Sequence, residues 1–123
     1  MNSMDPHDAQ ARGRVETRRE GDARIVVMAG EFDMDNAAGL RTAMDPAAPG
    51  VTRFVLDVAE VTFIDSTALS IMLQANLTHP VVLAGPVPRR LARLLEITGA
   101  HQAFATAPDV AAAKAAPPPP RLP

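Results

Sequence analysis

A carboxylate and a hydroxyl stand side by side at the point where the hydrophobic pattern of this chain changes its period. Two short apolar runs within residues 54–64 end at the pair Asp65 and Ser66. Beyond the pair, apolar residues recur at the spacing of one helix face: Leu69, Met72, Leu73 and Leu77. The pair is therefore predicted to begin a helix, where unpaired backbone N–H groups and the helix dipole stabilise an added anion. If Ser66 is phosphorylated, we expect the fold to persist and only the surface to change.

The pair Asp65 and Ser66 has two interpretations. The simpler one is a helix cap, because Asp and Ser are both preferred at the start of a helix. The other is a phosphoacceptor at Ser66, with Thr67 as an alternative hydroxyl, where a phosphate would add about −1.5 to −2 charges beside Asp65. We predict no catalytic residue and no enzyme, since no GxSxG sequence surrounds Ser66. No motif links Ser66 to any of the three histidines, which are His7, His79 and His101.

A second acidic turn, Gly-Glu-Phe-Asp at residues 30–33, follows another apolar run. On its own it is a strand-to-helix turn, in which Asp33 or Asp35 caps the next helix. Between parallel neighbours, however, both helix starts lie at the same edge of the sheet. Asp33, Asp65 and Ser66 are therefore predicted to form one polar cluster. Two carboxylates could suit an acid-base pair or a metal, but no histidine or third clear ligand accompanies them, and we predict neither a metal nor a cofactor.

Three arginines, Arg89, Arg90 and Arg93, lie in a segment with the apolar spacing of an amphipathic helix. Such a group is usually the solvated face of the helix. Binding of phosphate or RNA is the alternative, but the chain has only 3% aromatic residues to stack on bases and a net charge of −2. It also contains no glycine-rich phosphate-binding motif. We therefore predict no direct binding to nucleic acid.

The composition fits one domain: 123 residues, of which 47% are hydrophobic, with a core of aliphatic side chains. The chain has no cysteine, which excludes disulfides, thiolate catalysis and cysteine-based metal sites. Its first residues lack the apolar segment of a secretory signal. No apolar run approaches the roughly 20 residues that span a bilayer. We expect a cytoplasmic protein that has no membrane partner.

Apolar runs that suit strands alternate with segments that suit helices. Strands are predicted at residues 15–19, 24–29, 53–58 and 81–84, with a short last segment at Phe104. Helices are predicted at about 37–44, 66–77 and 87–98, with a weak helix after Asp109. This order predicts an α/β fold: a leading hairpin, a mixed sheet of four to five strands, and helices mainly on one face. Residues 1–13 and 116–123 are expected to be disordered ends of a domain at 14–115.

Three segments of the chain resemble one protein family in their order and spacing. They are GEFDMDNAAGL (30–40), FVLDVAEVTFIDSTAL (54–69) and VPRRLARLLEITGAHQAF (87–104). Together they resemble the STAS domain, over about residues 14 to 110. More narrowly, the chain looks like a bacterial anti-sigma factor antagonist. The resemblance implies the STAS fold in a single domain.

The resemblance also implies a phosphorylation switch. In the family, the unphosphorylated antagonist binds an anti-sigma factor that is also a serine kinase of the GHKL type, and this frees the sigma factor. The kinase phosphorylates the serine that corresponds to Ser66, the antagonist is released, and a PP2C-type phosphatase resets it. The resemblance places the partner-binding surface at Asp33, Asp65, Ser66, Thr67, Ala68 and Leu69.

The chain departs from the family pattern at two points. Ala68 replaces the usual glycine, which favours the helix by about 1 kcal/mol and adds a methyl group next to the acceptor. The linker at residues 76–80 is a few residues shorter than usual and lacks a glycine-rich turn. A second interpretation follows from Ala68: a STAS module that is not a kinase substrate and acts as a sensor of a small ligand or nucleotide, or as a scaffold in a signalling complex.

Overall fold

The computed structural model describes residues 12–115, which form a five-stranded sheet and four α-helices. The strands are β1 (Arg14–Glu20), β2 (Ala23–Phe32), β3 (Arg53–Ile64), β4 (Val81–Ala84) and β5 (Ala105–Ala107). The helices are α1 (Ala37–Ala43), α2 (Ser66–Thr78), α3 (Arg89–Thr98) and α4 (Val110–Ala115), with a 3₁₀ turn at Ala100–Gln102. The strands lie side by side in chain order. Since β1 is antiparallel to β2 and the other pairs are parallel, the predicted mixed sheet with a leading hairpin is confirmed.

The central strands are buried on both faces of the sheet, which explains why their sequences are almost continuously apolar. On the larger face, the strands pack against α1, α2 and α3, and Phe54, Leu56 and Leu83 are completely buried there. On the other face, a smaller cluster includes Val55 and packs around Ala113 of α4. The prediction that helices lie mainly on one face is confirmed, and α4 is the helix on the opposite face.

The two strands β2 and β3 are longer than the sequence pattern indicated. They were expected to end near residues 29 and 58, where polar residues interrupt the apolar runs, but they continue to Phe32 and Ile64. Because the two extensions pair with each other, the polar interruptions do not end the ladder. The apolar patch predicted at 61–64 is therefore the second half of β3.

The pairing of β2 with β3 contains two irregularities at this point. The register shifts between Val27 and Ala29 and again between Gly30 and Glu31, and β3 holds the extra residue each time. Gly30 has a φ of 84°, which a residue with a side chain adopts only with strain. The expected break at residues 30–33 is thus a bulge inside a strand pair, which bends the pair without ending it.

The helix boundaries agree closely with the prediction at α2 and less closely at α3. The helix expected at 66–77 is α2, and the strand expected at 81–84 is β4. The helix expected from residue 87 begins at Arg89, because Pro88 takes an extended backbone conformation and precedes the first turn. It ends as predicted at Gly99, whose φ of 76° closes the last turn.

Charged residues of the sheet hold α4 on the second face. Arg53 of β3 donates hydrogen bonds to the carbonyl oxygens of Ala113 and Lys114, each at 3.0 Å. The Lys114 ammonium group donates to the carboxylate of Glu20, which also accepts a hydrogen bond from Arg18. These bonds, first from Lys114 and then from Arg18, lower the pKa of Glu20. The end of the described chain is therefore tied to the hairpin by charge.

The predicted disordered ends lie mostly outside the described residues. At the N-terminal side, Arg12 forms a β-bridge with Glu31, so pairing with the sheet begins before the expected domain boundary at residue 14. Within residues 12–115, no helix is long and apolar enough to cross a membrane.

Two glycine substitutions should change stability in opposite directions. Gly30→Ala should lower the free energy of unfolding by about 1–2 kcal/mol, because an alanine at positive φ is strained. Gly39→Ala should raise it by about 0.5–1 kcal/mol, since Gly39 lies in α1 and its added methyl group would meet no atom within 4 Å. Urea unfolding followed by circular dichroism measures both. A stabilising Gly30→Ala would contradict the positive φ of Gly30.

Glu20→Gln should remove a pH-dependent part of the stability. Because the pKa of Glu20 is lowered in the folded state, its contribution is complete above the ordinary pKa of a glutamate and is lost as the pH falls through the lowered value. The effect is small because the pair is accessible to water and is screened by salt. The stabilities of wild type and variant should differ at about pH 7, and the difference should shrink as the pH falls below the ordinary pKa of a glutamate. A difference that stayed constant with pH would contradict the ion pair.

Candidate functional site

The carboxylate of Asp65 joins the two turns that follow β2 and β3. Its Oδ1 accepts the N–H of Ala68 at 3.0 Å, which caps α2. Its Oδ2 accepts the N–H of Met34, in the turn before α1, at 3.1 Å. The N–H of Asp65 donates to the carbonyl oxygen of Phe32 at 3.0 Å. The two turns thus share one edge of the sheet, as predicted, and we call this surface the rim: Asp33, Met34, Asp65, Ser66 and Thr67.

Ser66 presents the free hydroxyl of the rim. It is the first residue of α2, it is exposed, and within residues 12–115 its hydroxyl has no hydrogen-bond partner. Thr67, the alternative acceptor, is half-buried. An added phosphate on Ser66 would therefore reach water and the positive end of a 13-residue helix without displacing any packed side chain.

Ala68 and Leu69 do not face solvent, although both were expected in the partner-binding surface. Their side chains are 0% and 5% exposed and belong to the main core. The reason is helical geometry, which turns these two positions toward the sheet while Ser66 points outward. The methyl group of Ala68 consequently lies below the surface, so it does not cover the hydroxyl of Ser66.

Asp33 orders its own turn and does not cap α1. Its Oδ1 accepts the N–H groups of Asp35 at 2.9 Å and of Asn36 at 3.3 Å. The N–H of Asp33 donates to Oδ1 of Asn36 at 2.9 Å. The residue that precedes α1 is Asn36, whose side chain makes no capping bond. The predicted cap at Asp33 or Asp35 is therefore wrong, because the carboxylate closes a local turn with nearer backbone groups.

Met34 is a rim residue that the sequence reasoning missed. Its side chain is 74% exposed, although it lies between two acidic residues. Its backbone is fixed by the hydrogen bond to Asp65. The available signal was an apolar residue inside an otherwise polar turn, which suggests contact with another surface more than a role in the core.

The described histidines take part in contacts of their own. His79 lies at the far end of α2, about 20 Å from Ser66 at 1.5 Å per residue, and its ring packs against Phe54. A ring nitrogen of His101 lies 3.3 Å from the carbonyl oxygen of Leu95. Within residues 12–115, no cluster of three acidic, histidine or cysteine side chains could hold a metal ion. At the far end of α2, His79 is too distant to act as a general base for Ser66.

The family model described as "Mlab, STAS domain" matches residues 15–106, which is most of the chain. The chain therefore belongs to the STAS domain family. The matched range begins in β1 and ends in β5, so it includes nearly all of the sheet and the whole rim. No curated protein matches the chain significantly.

Several solved structures share this fold. An anti-sigma factor antagonist from Mycobacterium paratuberculosis is 24% identical, with a TM-score of 0.69 over 85% of this chain and 93% of that protein. The anti-sigma factor antagonist SpoIIAA, in its unphosphorylated form, is 16% identical, with a TM-score of 0.59 over 78% of this chain and 88% of its own. The phosphorylated form of SpoIIAA, a cell fate determinant of Bacillus, has 16% identity and a TM-score of 0.57, covering 78% and 91%. At these identities the comparisons establish the fold.

Asp65→Ala should destabilise the protein more than removal of a neighbouring exposed carboxylate does. It removes both the cap of α2 and the bond to the turn before α1, so we expect a loss of about 1–2 kcal/mol in the free energy of unfolding. The matched control is Asp35→Ala, an exposed acidic residue of the same turn, which should change stability by less than about 0.5 kcal/mol. Equal losses in urea unfolding would show that Asp65 does not link the turns.

Proposed function

We propose that this protein is an anti-sigma factor antagonist, which binds an anti-sigma factor through the rim and is released when Ser66 is phosphorylated. One observation carries the proposal: an exposed serine hydroxyl begins α2 on a rim whose shape is fixed by Asp65. The fold shared with antagonists of known structure supports the same role. It acts by binding and carries no catalytic residue of its own.

The rim suits a charge-controlled release. Before modification it combines the neutral hydroxyl of Ser66, the apolar side chain of Met34 and two carboxylates already engaged by backbone N–H groups. A phosphate would add about −1.5 to −2 charges next to Asp65. A partner surface complementary to the unmodified rim would then lose affinity through repulsion by its own acidic groups and through the cost of desolvating the phosphate.

The proposal implies two partner proteins, a kinase and a phosphatase. The bound anti-sigma factor would be a serine kinase of the GHKL type that transfers the γ-phosphate of ATP to the oxygen of Ser66, with release of the hydroxyl proton. A phosphatase of the PP2C type would hydrolyse the phosphate and restore the binding form. Asp33, Asp65, Ser66 and Thr67 would form the contact surface, with Ala68 and Leu69 supporting it from below.

Phosphorylation is expected to need Ser66 and to leave the fold intact. Incubation of the protein with ATP and a serine-kinase anti-sigma factor should add one phosphate by intact-mass spectrometry, and Ser66→Ala should add none. Ser66→Asp should weaken binding to the anti-sigma factor about tenfold or more and change the free energy of unfolding by less than about 1 kcal/mol.

Ser70 provides a matched control, since it is an exposed serine one turn further along α2. Ser70→Ala should still accept a phosphate, and Ser70→Asp should bind more tightly than Ser66→Asp. Phosphate transfer to Ser70, or equal loss of binding in both aspartate variants, would contradict a switch centred on Ser66.

A second candidate is a STAS module that is not a kinase substrate and acts as a scaffold or as a sensor of a small ligand or nucleotide. Ala68 at the usual glycine position favours it. Against it, the buried methyl group of Ala68 does not cover Ser66. Tight binding of the anti-sigma factor without phosphate transfer, in wild type and in Ala68→Gly alike, would favour this candidate. Transfer only in Ala68→Gly would show that alanine blocks the kinase.

A further inference from the structure

An apolar groove lies between the end of β3 and the outer side of α3, beside the rim but outside it. Its volume is about 310 Å³. The apolar side chains that line it are Phe63, Ile64, Leu91, Leu94 and Ile97. The groove is concave because α3 covers only part of the β3 extension, which passes beyond the end of the much shorter β4.

The lining contains apolar side chains that the fold leaves in water. Phe32, Phe54 and Phe104 are buried, whereas Phe63 is 45% exposed. Ile97, on the facing helix, is 73% exposed. Two large apolar side chains exposed on opposite sides of one groove mark a surface that another molecule could cover.

The side chains that line the groove include two arginines and no acidic residue, and Glu96 lies on the adjoining side of α3. Arg90 and Arg93 line the groove, and Arg89 precedes them on the same helix. Within residues 12–115, the ion pairs join other residues, and none of these three arginines has an acidic partner. The groove therefore presents guanidinium groups that can form charge-assisted hydrogen bonds with carboxylates.

We propose that this groove binds an acidic amphipathic segment of a protein partner. The apolar side of such a segment, with residues at i, i+3, i+4 and i+7, would enter between Phe63 and Ile97. Its carboxylates would pair with Arg90 and Arg93. The proposal does not depend on Ser66, because none of the residues that line the groove belongs to the rim.

A protein segment fits the groove better than a bilayer or a second copy of the chain does. Proteins insert flat or convex apolar surfaces into a bilayer. This lining is instead concave, between β3 and α3. The chain as a whole has a net charge of −2, which gives no general attraction to anionic lipid. An amphipathic segment with carboxylates would fill the groove with its apolar side and pair with the arginines.

The test uses a fluorescein-labelled helical peptide with Leu at i, i+3, i+4 and i+7 and Glu at the other positions, titrated with the full chain. We expect saturable binding that weakens at high salt. The double variant Arg90→Glu and Arg93→Glu should weaken binding about tenfold or more, and Ile97→Ser should weaken it severalfold. Circular dichroism confirms that each variant is folded.

Two controls match these variants in chemistry but lie outside the groove. Arg89→Glu makes the same charge change on α3 as Arg90→Glu alone, with which it is compared, and Leu77→Ser removes a side chain of α2 that is 75% exposed. Neither control should change peptide affinity by more than about twofold. Equal losses in groove variants and controls, or equal binding of a peptide with Lys in place of Glu, would overturn the proposal. Dimerisation of the chain, or its binding to anionic vesicles, would also overturn the proposal if Arg90→Glu abolished that interaction.

Discussion

Burial of β3 on both faces is the constraint on which the rest of the structure depends. Phe54 and Leu56 enter the main core, and Val55 enters the smaller one, so a shift of the strand by one residue would exchange their faces. That fixed register determines where the strand ends and therefore where Asp65 and Ser66 begin α2. The position of the site is a consequence of packing some ten residues away along the chain.

The start of α2 separates two tasks among neighbouring residues. Ala68 and Leu69 pack into the core, Asp65 caps the helix and holds the opposite turn, and Ser66 faces water. A modification of Ser66 would therefore act on the surface charge and leave the packing unchanged. This separation is what a protein needs if its affinity for a partner is to change while its folded state persists.

Much of the fold follows from the sequence, because its signals are local. The Asp-Ser cap and the helical spacing after it predict α2, and a run of four apolar residues between Pro80 and Gly85 predicts β4. The extensions of β2 and β3 could not be predicted in this way, because they depend on pairing between distant segments and on two register shifts. Those polar interruptions look like strand ends when each segment is taken alone.

The candidate site, like the fold, could be predicted only where its signals are local. The neighbouring turns follow from parallel strands, but the hydrogen bond from Met34 to Asp65 and the local bonds of Asp33 depend on side-chain orientation. The exposure of Phe63 could not be predicted from the sequence either, because it too depends on how the side chain packs. An apolar residue at the end of a strand has the same pattern whether a helix covers it fully or leaves a groove.

The difference in length between β3 and β4 changes how β3 is held along its length. β4 pairs only with residues Phe54 to Asp57 of β3, so the following half of β3 is bonded along one side, to β2, and with an irregular register. Segments with fewer strand partners open at lower free energy than the centre of a sheet. The half of β3 that leads to Asp65 therefore has fewer backbone hydrogen bonds than residues 54–57, and its buried side chains Val58, Val61 and Ile64 hold it on the main core. The backbone that leads into the rim is thus held more by side-chain packing than by hydrogen bonds between strands.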